Sequence, residues 1–212
     1  VEAWVFDLDG VLVDSEPVWE EVRRAFVAGH GGTWQPDTQS RLMGMSTPEW
    51  ASYLHELGVA LPPGEIARQV VARMAERYRE HVPLMPHAQE TVRRLAGRHA
   101  LGLASSSPRA LIDVVLDAAD LAGCFAATVS TEEVARGKPA PDGYLEAASR
   151  LGVEPRSCVA VEDSSNGLRS AHTAGMRVVA VPHPRYPPAP DALALASAVV
   201  RDLGSLTSDL FG

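Results

Sequence analysis

The stretch that most constrains this chain is Ala3-Trp4-Val5-Phe6-Asp7-Leu8-Asp9-Gly10. Four apolar residues without polar alternation suit a strand covered on both faces. The run stops at a carboxylate, and a second follows two residues later. Residues i and i+2 of an extended chain point the same way, so Asp7 and Asp9 converge at the strand's carboxyl end, where open α/β sheets place their ligands. Gly10 lets the chain turn away at once. Two carboxylates in one crevice repel each other and are costly to bury without a cation, which points to a divalent metal with oxygen ligands, Mg²⁺ above all. Asp-Gly is also a common turn pair, so these residues alone are equally read as a solvated turn. An EF-hand loop does not fit, because its glycine falls at another spacing.

The remainder separates into two textures. Residues 16–82 read as helices, at about 16–29, 37–43, 47–57 and 63–80, with Ser15 as N-cap of the first and Ser46-Thr47-Pro48-Glu49 as a capped start of the third. From Pro83 onward, helices at 87–98, 109–119, 142–151 and 166–174 alternate with apolar strands at 99–104, 126–130, 158–161 and 177–181. That alternation implies βαβ units and a parallel sheet. The expected architecture is therefore α/β: a Rossmann-like, doubly wound parallel core formed by 1–15 and 83–212, with an all-α insertion at 16–82. Residues 183–190 read as a proline-rich loop, 198–200 as an edge strand and 203–210 as a closing helix.

Composition narrows the function. Hydrophobic content is 46% and charged content 22%, enough for an ordinary globular core. No apolar run is long enough to span a bilayer, and no signal peptide is visible. The net charge of −8, with no basic cluster, leaves no electrostatic footprint for nucleic acid. Cys124 and Cys158 form no CxxC and read as structural thiols of a reducing cytosol, so a cytoplasmic protein is expected. The seven histidines form no zinc-type pair. Of 19 basic residues one is lysine, Lys138, where a compact point charge is wanted in place of a planar fork.

Strands of this sheet end in Asp7 and Asp9, in Ser105, and in Glu162 and Asp163, while Lys138 sits in the loop Gly137-Lys138-Pro139. A parallel sheet brings these carboxyl ends to one edge. Carboxylates there suit Mg²⁺; a hydroxyl, an ammonium and loop N–H groups suit phosphoryl oxygens. A carboxylate nucleophile with a second carboxylate for acid/base work suits phosphoryl transfer through an aspartyl-phosphate.

In this the chain resembles the haloacid dehalogenase superfamily, in the branch with a helical cap after the first strand. Four motifs match in order over essentially the whole chain: Asp7-Leu8-Asp9-Gly10-Val11, Ser105, Lys138 in Gly-Lys-Pro, and Glu162-Asp163-Ser164. The resemblance implies that Asp7 is the nucleophile and a Mg²⁺ ligand. Asp9 is implied as the acid/base, with its backbone carbonyl on the metal. Ser105 and Lys138 are implied to hold phosphoryl oxygens, Asp163 to ligate the metal and Glu162 to ligate it directly or through water. Asp14 is implied as support for the loop.

The second aspartate argues against dehalogenase chemistry, and a cap without lysine argues against a phosphonatase. β-Phosphoglucomutases look alike in the core, but their histidine position falls at Trp19 and their cap arginine near Thr47. The segment Asp14-Ser15-Glu16-Pro17-Val18-Trp19 is instead similar to sugar-phosphate phosphatases of the 2-deoxyglucose-6-phosphatase kind. The expected activity is Mg²⁺-dependent hydrolysis of a small phosphorylated metabolite, a sugar or polyol phosphate. A phosphomutase is the rival enzyme, and a non-catalytic binding protein the rival class, disfavoured by the presence of both Asp7 and Asp9. Candidates for reading the substrate are Glu16, Trp19, Arg41, Met43, Met45, Ser46, Thr47 and Ser106. Trp19 also reads as a packing residue, and His87 as a stiff hinge between cap and core. His183, Arg185 and Tyr186 could border the site from the loop after the strand at 177–181, but read rather as a solvated loop. The expected state is a monomer or weak homodimer with neither a nucleic-acid nor a membrane partner.

Overall fold

The computed structural model describes residues 1–43 and 45–211; Gly44 and Gly212, which fall within the expected insertion and core, lie outside the described residues. In chain order the elements are β1 (Ala3–Phe6), α1 (Glu16–Gly29), α2 (Thr38–Leu42), α3 (Thr47–Glu56), α4 (Pro63–Glu80), α5 (Ala88–Ala96) and β2 (Ala100–Ser105). There follow α6 (Arg109–Ala118), β3 (Ala127–Ser130), α7 (Asp142–Leu151), β4 (Cys158–Glu162), α8 (Ser165–Thr173), β5 (Arg177–Ala180), α9 (Pro190–Leu193) and β6 (Ala198–Val199).

All six strands pair in parallel, in the order β3-β2-β1-β4-β5-β6. β1 is central, and all four of its side chains are inaccessible to solvent. Its period of two divides the core. Trp4 and Phe6 join Leu101, Leu103, Val159 and Val161 on one face, whereas Ala3 and Val5 join Ala104, Cys158 and Ala160 on the other. The second face is covered by α7 and α8 through Tyr144, Ala147, Leu168 and Ala171. The first face carries α5 and α6 and runs without a break into the helical block, where Phe26, Trp50, Leu54, Val70 and Met74 are buried. Helix α4 packs on α1 and α3 within the block and on α6 of the sheet layer.

The block leaves and rejoins the sheet through adjacent strands of chain: Val13 bridges Leu84, and Asp14 N–H donates to Pro83 O at 2.9 Å. Ser46 and Glu49 form a reciprocal capping box at the start of α3. Ser15 stands at the N-cap position of α1 as expected, and its carbonyl accepts from Trp19 N–H, but its backbone is already helical and its buried hydroxyl makes no cap bond. Where a closing helix is expected, two short 3₁₀ turns stand at Leu203–Ser205 and Ser208–Phe211. The Asp202 side chain accepts from Ser205 N–H, a local bond that competes with continued helix. The proline-rich loop ends in the four-residue α9. Both cysteines are free, and burial pushes the Cys158 thiol up to about 11, which makes it a packing residue. No helix of the described residues is long and apolar enough to cross a membrane.

Candidate active site

Because β1 lies between β2 and β4, the groups that end these three strands meet at one edge. Asp7 N–H donates to Val161 O at 3.0 Å, so the chain stays in sheet register through the first carboxylate. It then folds into a tight loop in which Gly10 N–H donates to Val13 O. Gly10 has φ +82°, and a Cβ on it would run into the Asp163 carboxylate. Left-handed backbone and close approach both require glycine here. Gly10→Ala is therefore expected to destabilise the fold by about 1–3 kcal/mol and to displace Asp163. Thermal melts check this: the variant should melt below wild type.

Lys138 is the electrostatic hub. Its Nζ lies 2.6 Å from Glu162 Oε1 and 2.9 Å from Asp7 Oδ1, and it stands 5.1 Å over the Tyr144 ring. Its side chain is only 7% exposed. Burial alone would lower the ammonium's pKa, but the two carboxylates outweigh it and hold the group well above the ordinary lysine range. Burial also dominates at Asp7. Opposed by Lys138 and reinforced by Glu162 and Asp9, it pushes that carboxyl up to about 7. Asp163 is raised well above the usual carboxylate range by burial and by Glu162 and Asp7.

Asp7, Glu162 and Asp163 each bring one oxygen within 4.8 Å of the others, the donor set a hard divalent cation takes. They are not equivalent. Glu162 Oε1 accepts from Lys138 and from Tyr144 OH at 2.8 Å, and Oε2 from Asp163 N–H, Ser164 N–H and Ser164 Oγ. Its lone pairs are committed, and a Cβ on Gly167 would strike this carboxylate, so α8 sits directly on it. By contrast Asp163 Oδ1 is buried without a hydrogen-bond partner, and Asp7 Oδ1 has only the Lys138 ammonium at 2.9 Å. The raised carboxyls and the orphaned Asp163 oxygen fit a bound cation. Asp7 and Asp163 carry the oxygens free to coordinate such a cation, and Glu162 anchors Lys138.

Asp9 is held by hydroxyls. Its Oδ2 accepts from Ser107 Oγ at 2.7 Å and from Ser105 Oγ at 3.2 Å, and Ser105 Oγ itself accepts from Ser107 N–H. Ser107, absent from the sequence expectations, makes the shorter bond. The polar triplet Ser105-Ser106-Ser107 at a strand end is the signal that could have found it.

These groups open onto a cavity of about 570 Å³ between sheet edge and helical block, a volume suited to a small metabolite. Glu16, Trp19, Met43, Met45, Thr47 and Ser106 line it. Ser46 does not, because its hydroxyl and backbone are turned to Glu49 in the α3 cap. Arg41 stacks on Tyr53 away from the cavity. Trp19 is both lining and core, 5.9 Å from the Trp50 ring. Tyr144 carried no sequence signal. His87 caps α5 with φ 64° and is not among the lining residues. The solvated-loop reading of 183–186 is corrected: His183 is buried and lines the cavity with Tyr186, while Arg185 is exposed. The imidazole accepts from Arg185 N–H at Nδ1, lies 3.3 Å from Asp14 through Nε2, and stacks on Tyr186. Those three partners remove it from solvent.

This geometry has relatives. Hexitol phosphatase B of Escherichia coli (strain K12) is 36% identical over 217 aligned residues, covering 99% of this chain and 96% of that protein. Fructose-1-phosphate phosphatase of the same organism is 33% identical over 84% of this chain and 94% of its own length. The crystal structure of CbbY from Rhodobacter sphaeroides in complex with phosphate superposes with a TM-score of 0.86 at 25% identity, covering 97% and 96% of the two chains. The model of the haloacid dehalogenase-like hydrolases matches residues 1–175, and with relatives this similar over nearly its full length the chain belongs to that family.

Proposed function

We propose that this protein is a Mg²⁺-dependent phosphatase of a sugar or polyol phosphate, acting through an aspartyl-phosphate on Asp7. The observation that carries the reading is the placement of Asp7 beside Lys138, with Asp9 clamped by Ser105 and Ser107, at the floor of one metabolite-sized cavity. The names of the relatives, a hexitol phosphatase and a fructose-1-phosphate phosphatase, support the substrate class.

In this mechanism the Asp7 carboxylate attacks phosphorus and the ester P–O bond breaks. Asp9, in its acid form, gives its proton to the leaving oxygen. Water then attacks the phosphorus of the aspartyl-phosphate, Asp9 takes the water's proton, and phosphate leaves with the Asp7 carboxylate restored. The serine clamp on Oδ2 leaves Asp9 Oδ1 free to face the reacting oxygens. Lys138 and the Ser106 backbone position phosphoryl oxygens, whereas Ser105, implied for that role, gives its hydroxyl to Asp9, accepts from Ser107 N–H and does not line the cavity. Asp7, Asp163 and the Asp9 carbonyl would hold Mg²⁺, whose charge offsets the repulsion between an anionic nucleophile and an anionic substrate. Residues 16–82 serve as the cap that reads the alcohol portion, over a core of 1–15 and 83–212. The cap lacks lysine, and Trp19 and Thr47 replace a mutase's histidine and arginine, so water is the acceptor.

The test is phosphate release from sugar, polyol and nucleoside monophosphates, with Mg²⁺ and with chelator. Chelator-sensitive release that is fastest on a sugar or polyol phosphate is expected; release only when a sugar bisphosphate activator is supplied would move the assignment to a mutase. The same cation should stabilise the fold. Binding at about 100 times Kd contributes about 2.7 kcal/mol, or a melting temperature higher by about 5–10 °C. The sign with pH follows from Asp7. Its folded pKa is raised, so without metal its contribution is fully present below the unfolded value near 3.8 and is lost as pH rises through about 7. Asp163 shifts in the same direction. In chelator the melting temperature should fall as pH rises from about 4 to about 7 and level off above that, and Mg²⁺ should remove most of the fall.

A further inference from the structure

Among the described residues Arg23 is a buried cation of the cavity wall that the proposed chemistry leaves unused. It lines the cavity from α1 and is 5% exposed. Its guanidinium carbon lies 4.4 Å from the Trp19 ring centre and 4.9 Å from that of Trp50. The two indoles, their ring centres 5.9 Å apart, pack against one side of the guanidinium and accept no hydrogen bond from it through a lone pair, so its N–H donors remain to be satisfied. Nε is buried with no hydrogen-bond partner. Among the described residues Arg23 enters no ion pair. A desolvated cation with unused donors at a cavity wall is costly unless something in the cavity accepts from it.

The neighbouring charge says what that acceptor is. Glu16 lies seven residues earlier on α1, two turns away on the same face, and also lines the cavity. The Gln39 amide donates to its Oε2 at 2.7 Å and fixes the carboxylate. Burial pushes the Glu16 carboxyl up and the Arg23 guanidinium down to about 10; each opposes the shift of the other, and Asp9 adds a further negative charge near both. The arginine's charge is thus already balanced by Glu16 and Asp9, so a second anion on the substrate would meet repulsion as well as attraction. A neutral hydroxylated carbon chain fits better. One hydroxyl accepts from the guanidinium edge, and its neighbour donates to the carboxylate.

We infer that Arg23 and Glu16 form a donor–acceptor pair that selects phosphate esters bearing neutral, adjacent hydroxyls next to the scissile ester, with Arg23 the specificity-determining residue. This rests on the phosphatase reading above. The test compares kcat and KM of wild type, Arg23→Met and Glu16→Gln on a hexitol 6-phosphate, on p-nitrophenyl phosphate and on 6-phosphogluconate. Wild type should favour the hexitol phosphate over both others. Each variant should lower the hexitol-to-nitrophenyl ratio of kcat/KM by about 10- to 100-fold, mostly through KM. An equal loss on both substrates would make Arg23 a packing residue and overturn the inference. So would a wild-type preference for 6-phosphogluconate that disappears in Arg23→Met, which would mark an anion site. If Arg23→Met gives no cooperative thermal melt, Glu16→Gln decides alone, and an unchanged ratio overturns the pair. Hydrolysis of none of the three by wild type is a different result, and refutes the phosphatase reading itself.

Discussion

Asp7→Asn is expected to lower phosphate release by at least about 10⁴-fold and to leave a folded protein that, in chelator, melts no lower than wild type at about pH 8. The two halves rest on different observations. Catalytic loss follows from removing the one carboxylate among the described residues that sits both beside Lys138 and at the end of the central strand. Retention of stability follows from the state of that carboxylate. Asp7 is 6% exposed, and it repels Glu162 and Asp9. An amide of the same shape removes a buried charge that the metal-free fold tolerates poorly, while Lys138 keeps Glu162. Phosphate release and thermal melts at two pH values measure both. A folded variant that still turns over would exclude Asp7 as the nucleophile. A variant that melts well below wild type in chelator would mean that the carboxylate supports the fold.

How much of this site was legible beforehand depends on what each residue answers to. Strand ends are written locally: an apolar run, then a carboxylate, then a turn. For that reason Asp7, Asp9, Ser105, Glu162 and Asp163 and the parallel sheet that gathers them can be read along the chain. What cannot be read is the division of work inside the cluster. Glu162 looks as ligand-like as Asp163, and only the approach of Tyr144, Lys138 and the start of α8 shows that its oxygens are taken. Ser46 looks available in sequence, yet the helix it begins has first claim on its hydroxyl. His183 looks solvated in a run of prolines, and the pairing with Asp14 and Tyr186 that buries it spans the whole chain. The closing segment failed for a local reason: Gly204 and the Asp202 cap favour a short turn over a helix. Arg23 was within reach, since periodicity puts it with Trp19, Val22 and Phe26 on the buried face of α1, but a charged side chain is ordinarily read as solvent-facing. Only the two indoles, the second from α3, turn it inward.

The largest combined loss of stability and rate is expected from Lys138→Met. The ammonium is the single cation within reach of Asp7 and Glu162 among the described residues, and all three side chains are at most 8% exposed. Deleting it strands two buried carboxylates. Glu162 Oε1 would retain only the Tyr144 hydroxyl, and Asp7 would lose its one counter-charge. Breaking a buried pair from one side costs about 3–5 kcal/mol, which lowers the melting temperature of a chain this size by about 6–20 °C. Because the stranded groups are acids, the deficit should deepen as pH rises and Asp7 ionises, the direction opposite to that for loss of an ordinary exposed carboxylate. Mg²⁺ should recover part of the stability by supplying positive charge to Asp7 and Asp163. It should not recover the rate, which is expected to stay down by about 10³-fold because no group replaces the donor to the phosphoryl oxygens. Lys138→Arg is not a conservative control: a planar fork cannot replace a point charge seated between two carboxylates and above a tyrosine ring. The decisive comparison is melting temperature against pH, with and without Mg²⁺, beside phosphate release. A Lys138→Met protein that melts within about 2 °C of wild type at all pH values would show that the cluster is held together without its lysine, and would remove the electrostatic basis for the site proposed here.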